Sequence, residues 1–544
     1  MLGALNGTTF KDAITHCYEK VVHWKRNMIK VPSGKSGNLF VNEITRLFQA
    51  YISDSALQSV ALKVAMVLPS LVLQKPSKKS TNHPGLITRR LKLWQEGQLT
   101  ELLHEGQTIQ SRLNFHPQAQ HPAKDKTKQF TKLMCEGKVK AALRLLEGEP
   151  SGGPLPLDQY IDDSRRTVLD ILKSKHPPPS HVLGVDFDLE TTSSQELHPL
   201  LFDQIDGSLI RSTVHKMDGA AGPSGLDTSC WRRLCTAFKN YSTDLCDVLA
   251  SLCRKICTEY LDPSDLAPLV ACRLIALDKC PGVRPIGIGE CARRIICKAI
   301  ASLLSMDILD TVGSQQLCVG HTSGCEAAVH AARSIFNDPA TDAFLMVDAT
   351  NAFNSLNRKV ALKTVTKLCP PLSKALVNTY RSDIDLFISG ETLSSQEGTT
   401  QGDPLAIATV PLIQRISNND VRQSWYADDA AAGGILRRWW DDLAKIGPDY
   451  GYFPNARKTC LLVKDHLVAE ATELFKDTGI HVCMEELAIW EQPSARPGFC
   501  NLLCETKLMH GCVKLKPCQR LLWTNLKLLM QPSSMESGAD GTTS

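Results

Sequence analysis

The sequence lacks an apolar run long enough to cross a membrane. The longest candidate, residues 56–73, is interrupted by Gln58, Lys63 and Pro69, whereas a span needs about 20 mostly apolar residues. The first twenty residues also lack the apolar core of a secretory signal. The sequence therefore predicts an intracellular protein with no membrane contact.

Regular cysteine spacing is also missing, although the chain has 20 cysteines. They are scattered through apolar, helix-like segments such as residues 252–257, which favours buried thiols over a disulfide framework. Near the carboxyl end, only Cys500 and Cys504 have the close spacing typical of zinc ligands. These absences argue against a disulfide scaffold and against a zinc module.

No internal repeat is evident, and the composition is that of a globular protein, with 43% apolar and 22% charged residues in 544. The charge is uneven: residues 1–140 hold 21 Lys and Arg against 9 Asp and Glu, a net +12. The remaining residues carry 40 basic and 48 acidic side chains, a net −8. A basic amino-terminal region suits a phosphate backbone, although solvated surface charge explains it equally well.

The residue pattern divides the chain into four parts. A basic, partly disordered or helical segment covers 1–85, a helical module with loops covers 86–200, the main domain covers 201–480, and an aberrant tail covers 481–544. Helical spacing is expected at about 55–68, 86–145 with a break at 116–128, and 229–260. Strands are expected at 271–277, 343–347, 385–388 and around Trp425, so the fold class is α+β.

Two acidic sites follow short apolar segments. Asp348 ends the run Phe344-Leu345-Met346-Val347, and Asp428 and Asp429 follow Tyr426-Ala427 eighty positions later. A carboxylate at a strand end is often only a turn or helix cap. If a tight turn brings all three acids together, their mutual repulsion calls for hard cations such as Mg²⁺ or Mn²⁺. Two such ions suit phosphoryl transfer.

These residues belong to an ordered series of motifs that resembles the reverse transcriptase domain of non-LTR retrotransposons. Residues 348–355, 401–405 and 426–429 are similar to the three catalytic motifs of that family, in its order and spacing. Residues 278–286 are similar to its fingers motif, 219–227 to the segment before it, and 451–459 to its fourth palm motif. The resemblance covers roughly residues 200–480.

The resemblance implies a right-hand polymerase with fingers and an antiparallel palm sheet, and the residue pattern predicts a mostly helical basic region before it. It implies two Mg²⁺ or Mn²⁺ ions on Asp348, Asp428 and Asp429. Its partners would be deoxynucleoside triphosphates and an RNA or DNA template with its primer. The reaction would be RNA-directed DNA synthesis, in which a primer 3′ hydroxyl attacks the α-phosphate.

The resemblance also implies roles for residues around the carboxylates, and each has a plainer alternative. Lys458 would protonate the leaving pyrophosphate, or is surface charge. Lys279 and Arg284 would bind the triphosphate, or are solvated cations beside a turn. Phe353 would exclude a ribose 2′ hydroxyl, or packs in the core. Gln401 and Gly402 would approach the templating base pair, or form a simple turn.

The sequence departs from the family pattern at two positions. Asp403 stands where serine is usual, and Asn354 stands where aspartate is common. Neither change removes a catalytic carboxylate, but both put turnover and template preference in doubt. The alternative to an active polymerase is therefore a catalytically weak retrotransposon remnant that only binds nucleic acid.

The sequence also stops resembling the family from about Val482. Residues 488–493, reread with one base borrowed from the preceding codon, can encode His-Leu-Gly-Ala-Ala, which resembles the segment after the palm in relatives. This indicates a frameshifted or truncated carboxyl end without a polymerase thumb. Weak, non-processive synthesis would follow, and the nucleotide sequence of the gene tests the frameshift.

Overall fold

A computed structural model gives the structure of most of the chain before residue 485. The described residues are 7–53, 56–76, 82–115, 126–135, 153–161, 165–180, 199–279, 282–318, 323–400, 410–417 and 420–484. Gln401, Gly402 and Asp403 lie outside these ranges, and so does the predicted aberrant tail 481–544 except for its first four residues, His481–Met484, which form a strand. The described residues form two compact units, each assembled from three stretches of sequence.

The first unit, Met1–Gly313 with Asn351–Ile416 and Lys445–Phe453, is mostly helical. Asp206, Asp227 and Asp262 each begin a helix by accepting a hydrogen bond from a backbone N–H of its first turn. The helices are Gly7–Val21, Lys35–Ile52, Gln58–Val72, His83–Gln95, Leu99–Phe115, Lys126–Cys135, Val168–Ser174, Gly207–Lys216, Thr228–Thr236, Asn240–Thr258, Pro263–Val270, Cys291–Leu303, Ser305–Val312, Ala352–Ser355, Arg358–Leu368, Pro370–Tyr380 and Val410–Ile416, with 3₁₀ turns at Pro199–Gln204 and Gly447–Tyr450.

A four-stranded mixed sheet completes this unit. Numbering the strands along the chain, it contains β1 (Cys272–Asp278), β2 (Val283–Gly289), β4 (Ile384–Ile388) and β5 (Glu391–Ser395). Their order is β2-β1-β4-β5. The hairpins β1–β2 and β4–β5 are antiparallel, and β1 pairs with β4 in parallel.

The second unit contains Ser314–Thr350, Ser417–Ala444 and Pro454–Ser544, and it is built on a five-stranded sheet. The strands are β3 (Ala343–Val347), β6 (Val421–Tyr426), β7 (Asp429–Gly434), β8 (Cys460–Val463) and β9 (His481–Met484), in the order β6-β7-β3-β8-β9. The first three pairings are antiparallel, and β9 joins β8 in parallel. The helices are Gly324–Phe336, most of Leu436–Ile446 and Val468–Phe475, with a 3₁₀ turn at Asp465–Leu467.

The core of the second unit lies between its sheet and the helix Gly324–Phe336. Ile335 and Phe336 of that helix pack with Phe344 and Met346 of β3 and with Leu462 of β8, and all five are buried. Leu345 and Val347, which point to the other face of β3, are fully buried as well. A central strand covered on both faces is apolar throughout, which explains the unbroken run before Asp348.

The structure confirms the α+β class and several predicted elements. The strand at 343–347 has the expected bounds. The bounds of the strands expected at 271–277 and 385–388 differ from the expected ones by one residue. The strand expected around Trp425 is β6. The helix expected at 229–260 is instead two helices, because Lys239 between them adopts a positive φ of 53°. The domain boundaries expected at residues 85 and 200 stay predictions.

Most of the described cysteines are buried thiols, as the sequence predicts. Of the fourteen whose side chains the structure describes, eleven are buried, two are exposed and none is in a disulfide. In the part of the chain that the structure describes, no helix is long and apolar enough to cross a membrane.

Candidate functional site

A tight hairpin carries Asp428 and Asp429. Strands β6 and β7 pair up to Tyr426 and Asp429, which leaves Ala427 and Asp428 as a two-residue turn. Ala427 has a φ of 57°, and Asp428 does not have a positive φ. A positive φ at the first turn residue alone is the type II′ pattern, which matches the twist of a β-hairpin. The turn therefore holds both half-buried aspartates at one end of the sheet.

The register of β3 against β7 brings Asp348 to the same end. The last pair of this ladder is Val347 with Ala430, so continuing it by one position sets Asp348 opposite Asp429. Directly opposed residues of an antiparallel pair have Cα atoms roughly 4.5–5.5 Å apart. Asp348 therefore follows β3 at the end of the sheet that bears the hairpin aspartates, and the convergence of all three carboxylates stays a prediction.

A buried amide, which the sequence analysis missed, holds the hairpin turn. Gln316 is 1% exposed, and its side chain donates to the carbonyl oxygen of Ala427 and accepts from the N–H of Ala427, both at 3.0 Å. Backbone hydrogen bonds beside Gln316 extend this contact. Trp425 N–H donates to the carbonyl oxygen of Gln315, and Leu317 N–H donates to the carbonyl oxygen of Trp425. No motif marks Gln316, which contacts a turn 111 positions away.

Lys458 reaches the carboxylate of Asp348 from a second turn. Asn455 N–H donates to the backbone oxygen of Asp348 at 2.8 Å, and Lys458 N–H donates to the carbonyl oxygen of Asn455 at 3.0 Å. These bonds bring Lys458 Nζ to 3.0 Å from Asp348 Oδ2, with the two side chains 29% and 12% exposed. The structure thus unites two residues that the sequence assigns to one site.

The geometry of this ion pair is that of a charge contact and not of a hydrogen bond. Asp348 Oδ2 is shielded from solvent and accepts no hydrogen bond from any described residue. A buried carboxylate oxygen without a hydrogen bond is costly unless a cation compensates it. Lys458 supplies that positive charge, and a bound metal ion would meet the same need.

The donor atoms at this end of the sheet suit a hard cation, because they are carboxylate oxygens. The described residues nevertheless contain no group of three His, Cys, Asp or Glu side chains gathered closely enough to hold a metal ion. The acids therefore share one end of the sheet without forming a closed set of ligands. In this arrangement Asp348 is paired with Lys458 instead.

Two other predicted residues, Lys279 and Arg284, lie in the β1–β2 hairpin of the first unit. Lys279 N–H donates to Gly282 at 3.0 Å, which closes the turn, and Arg284 lies opposite Leu277 in the ladder. Both side chains are exposed. Two cations on one exposed hairpin can bind phosphate groups, and the same positions equally fit the plainer alternative of surface charge.

Phe353 lies in the one-turn helix Ala352–Ser355 of the first unit and is half-buried. Its carbonyl oxygen accepts from Thr399 N–H at 2.6 Å, and Gly398 N–H donates to Leu356 at 2.7 Å. The chain leading to Gln401 is thereby fixed beside Phe353. Gln401 and Gly402 themselves lie outside the described residues, so their predicted contacts stay predictions.

Asn354, one of the departures from the family pattern, has a local partner. Its side-chain amide donates to the side-chain oxygen of Asn351 at 2.9 Å. Asn351 in turn donates to the carbonyl oxygen of Lys175 at 2.7 Å. An aspartate at 354 has no N–H to donate, so the asparagine suits this bond.

Comparison with known proteins adds no family assignment. A scan against protein-family models finds no match, and a search of curated proteins finds none either. The site is therefore interpreted from its own residues.

Proposed function

We propose that the chain is a metal-dependent nucleotidyltransferase. The observation that supports this proposal is the sheet register, which pairs Val347 with Ala430, so that Asp348 follows β3 at the end of the sheet where Asp428 occupies the hairpin turn. Within that class, we propose an RNA-directed DNA polymerase with the fingers and palm of non-LTR retrotransposon reverse transcriptases, acting inside the cell. The ordered motifs support this narrower assignment.

Asp348, Asp428 and Asp429 would hold Mg²⁺ or Mn²⁺. Their hard oxygen donors, and the buried Asp348 Oδ2 without a hydrogen bond, fit such ions. When bound, two of these ions would activate the primer 3′ hydroxyl and offset charge on the departing pyrophosphate. The protein's part is to hold the carboxylates at the sheet end, through the register of β3 and β7 and the amide of Gln316.

Lys458 has two tasks in this proposal. Its ammonium group offsets the charge of Asp348 at 3.0 Å. With substrate bound, its Nζ donates a proton to the pyrophosphate oxygen that leaves the α-phosphate. A flexible four-carbon stem and a partly exposed position allow the same ammonium group to serve both partners.

The nucleotide would be bound by groups from other motifs. Lys279 and Arg284 would contact the triphosphate of the incoming deoxynucleotide. Phe353 would set its ring where a ribose 2′ hydroxyl would lie, which favours deoxynucleotides. Gln401 and Gly402 would lie against the nascent base pair. The template and primer would be RNA or DNA, since these motifs contact the backbone and not the sequence.

The second candidate is a remnant that binds nucleic acid without copying it. The observation in its favour is that Lys458 already neutralises Asp348 at 3.0 Å. The basic region at residues 1–140 would then carry the binding.

Primer extension by the purified full-length chain tests both candidates. A labelled primer is annealed to an RNA or a DNA template, and deoxynucleotides and Mg²⁺ are added. The first candidate predicts short extension products. It also predicts that Asp348→Asn and Asp428→Ala each lower single-nucleotide addition by at least about a hundredfold, as expected when a group that stabilises charge in the transition state is lost.

Asp465→Asn is the matched control, because Asp465 is an exposed aspartate of the same unit. It should leave extension unchanged. Template binding without any extension, even with Mn²⁺, would favour the remnant. Extension that survives Asp428→Ala would remove the carboxylates from the mechanism.

A further inference from the structure

Two buried thiols of the second unit are in direct contact. Cys460 is the first residue of β8 and Cys483 is the third residue of β9, and their Sγ atoms are 3.0 Å apart. In the parallel ladder Cys460 pairs with His481 and Leu462 pairs with Cys483, so the two cysteines are diagonal neighbours across the strands. They are only 6% and 7% exposed.

The two sulfur atoms lie close together in an apolar part of the core. Phe344, Met346 and Leu462 pack around them in the core of the unit. Other buried thiols instead donate to backbone oxygens at longer distances, for example Cys246 at 3.7 Å and Cys253 at 3.8 Å. Cys246 and Cys253 also interact with a second thiol each, Cys235 and Cys257. The case for Cys460 and Cys483 therefore rests on their Sγ–Sγ distance of 3.0 Å.

We propose that Cys460 and Cys483 are a redox modification site, at which a hydroperoxide converts the two thiols into an intrachain disulfide. The bond would join β8 to β9. The inference does not depend on the polymerase proposal, because it concerns only the chemistry of the two thiols.

The reaction needs a hydroperoxide as oxidant and balances in two steps. The Cys483 sulfur first attacks one peroxide oxygen, so that an S–O bond forms, the O–O bond breaks and water leaves when hydrogen peroxide is the oxidant. The Cys460 sulfur then attacks the resulting sulfenic acid, so that an S–S bond forms, the S–O bond breaks and a second water leaves. Two thiols are oxidised, and one peroxide is reduced to two waters.

The position of β9 makes this reaction feasible despite the burial of both thiols. In the sheet as described, β9 is an outer strand, with β8 as its neighbour. Outer elements open locally more readily than central ones, which admits a small oxidant. Closing the bond moves the sulfurs from 3.0 Å to roughly 2.05 Å. Proximity of this kind strongly favours the intrachain step over reaction with another molecule.

Peptide mapping tests the proposal directly. The reduced full-length protein is treated with hydrogen peroxide, its remaining thiols are alkylated, and it is digested with trypsin and with a protease that cleaves after glutamate. Cys460 then lies in the peptide 459–464 and Cys483 in 477–485, and neither peptide has a second cysteine. The expected result is one joined species, two hydrogen atoms lighter than the sum, which replaces both free peptides and disappears on reduction.

Two substitutions and one reporter complete the design. Cys483→Ala should abolish the joined species, whereas Cys369→Ala, which removes another buried thiol, should leave it unchanged. Oxidation of the exposed Cys318 shows that enough peroxide is present. If Cys483→Ala fails to fold, the mapped wild-type crosslink still decides the matter.

The joined peptide, lost on reduction, would establish the site. Recovery of both peptides as separate alkylated thiols, under conditions that oxidise Cys318, would overturn it. Oxidation of Cys460 or Cys483 to sulfinic acid without any joined species would also overturn it.

Discussion

The side chain of Gln316 holds the turn that bears Asp428, so its loss should destabilise the second unit. Gln316→Met keeps the approximate shape but leaves both backbone groups of Ala427 without the amide partner seen here. Unsatisfied buried groups of this kind cost about 1–3 kcal/mol. Urea unfolding should therefore show a lower midpoint for Gln316→Met.

Gln396→Met is the control for that measurement. Gln396 is half-buried and donates to Asp383 in a solvent-exposed hydrogen bond, and water can replace the lost partner there, so the loss of stability should be smaller than for Gln316. Equal midpoints for the two variants would show that the Gln316 amide contributes nothing to the turn.

His176 should make stability depend on pH. Burial lowers the pKa of its imidazole, and Nδ1 contacts the carbonyl oxygen of Leu172 at 2.8 Å. The unfolded chain then binds a proton more readily than the folded chain, so stability falls as the pH drops below about 6.5. Unfolding free energies measured between pH 7.5 and 5.5 should decline.

His176→Gln should flatten that decline. Part of it should persist, because burial also lowers the pKa of His23. The exposed His466 provides the comparison, since His466→Gln should leave the slope as in the wild type. A slope for His176→Gln that is as steep as the wild-type slope contradicts the assignment.

At the scale of elements, two glycines in or beside the β4–β5 hairpin allow the stability cost of a strained φ to be separated from the cost of a steric overlap. Gly390 and Gly398 have φ angles of 92° and 68°. A Cβ at Gly390 would meet no atom within 4 Å, whereas one at Gly398 would overlap the carbonyl oxygen of Phe353. Gly390→Ala should cost about 1–2 kcal/mol, from the strained φ alone.

Gly398→Ala should cost about 1–3 kcal/mol more than that, because the helical turn at Phe353 must move. Chemical denaturation of both variants measures the difference. Equal losses would mean that the chain from Gly398 to Thr399 is not held tightly against Phe353.

The elements that the sequence predicts are those with a clear local pattern of apolar residues. Strand β3 is an apolar run, and the pattern alone predicts its bounds. Strand β7 reads Asp-Ala-Ala-Ala-Gly-Gly, which has low strand propensity, and it forms because β3 and β6 pair with it on both sides. Strand β2 contains a proline and two glycines, counting its last residue, so its pattern is equally weak.

Local sequence patterns also predict only part of the candidate site. Spacing and motif order select Asp348, Asp428, Asp429 and Lys458, and the structure sets them at one end of one sheet. The contact of Gln316 depends on a pairing between segments 111 positions apart, which no local pattern encodes. The ion pair of Lys458 with Asp348 likewise results from the turn at Asn455.

For the whole molecule, each unit is assembled from separate stretches of sequence, so the truncation point determines whether a sheet keeps all of its strands. A chain that ends at Met484 keeps every strand of both described sheets. One that ends at Phe453 loses β8 and β9, and β3 then lacks its partner along residues 343–346. An unpaired apolar strand edge promotes aggregation.

The chain 1–484 should therefore remain soluble and unfold cooperatively, and the chain 1–453 should aggregate. Size-exclusion chromatography and far-ultraviolet circular dichroism compare them with the full-length chain. A monomeric 1–453 with an unchanged unfolding midpoint would show that β8 is dispensable to the sheet.

The two-residue turn at Ala427 and Asp428 also determines which kinds of genetic change the site can survive. Because alternate residues of a strand face opposite sides, one codon inserted in or deleted from this turn would force the pairing Tyr426–Asp429 to shift or the turn to be rebuilt. A shift by one residue would move the buried side chains of Ala430, Ala431 and Ala432 to the opposite face of the sheet, where their neighbours differ. Lineages descended from this gene should accordingly keep the length of the interval from residue 426 to residue 429 constant.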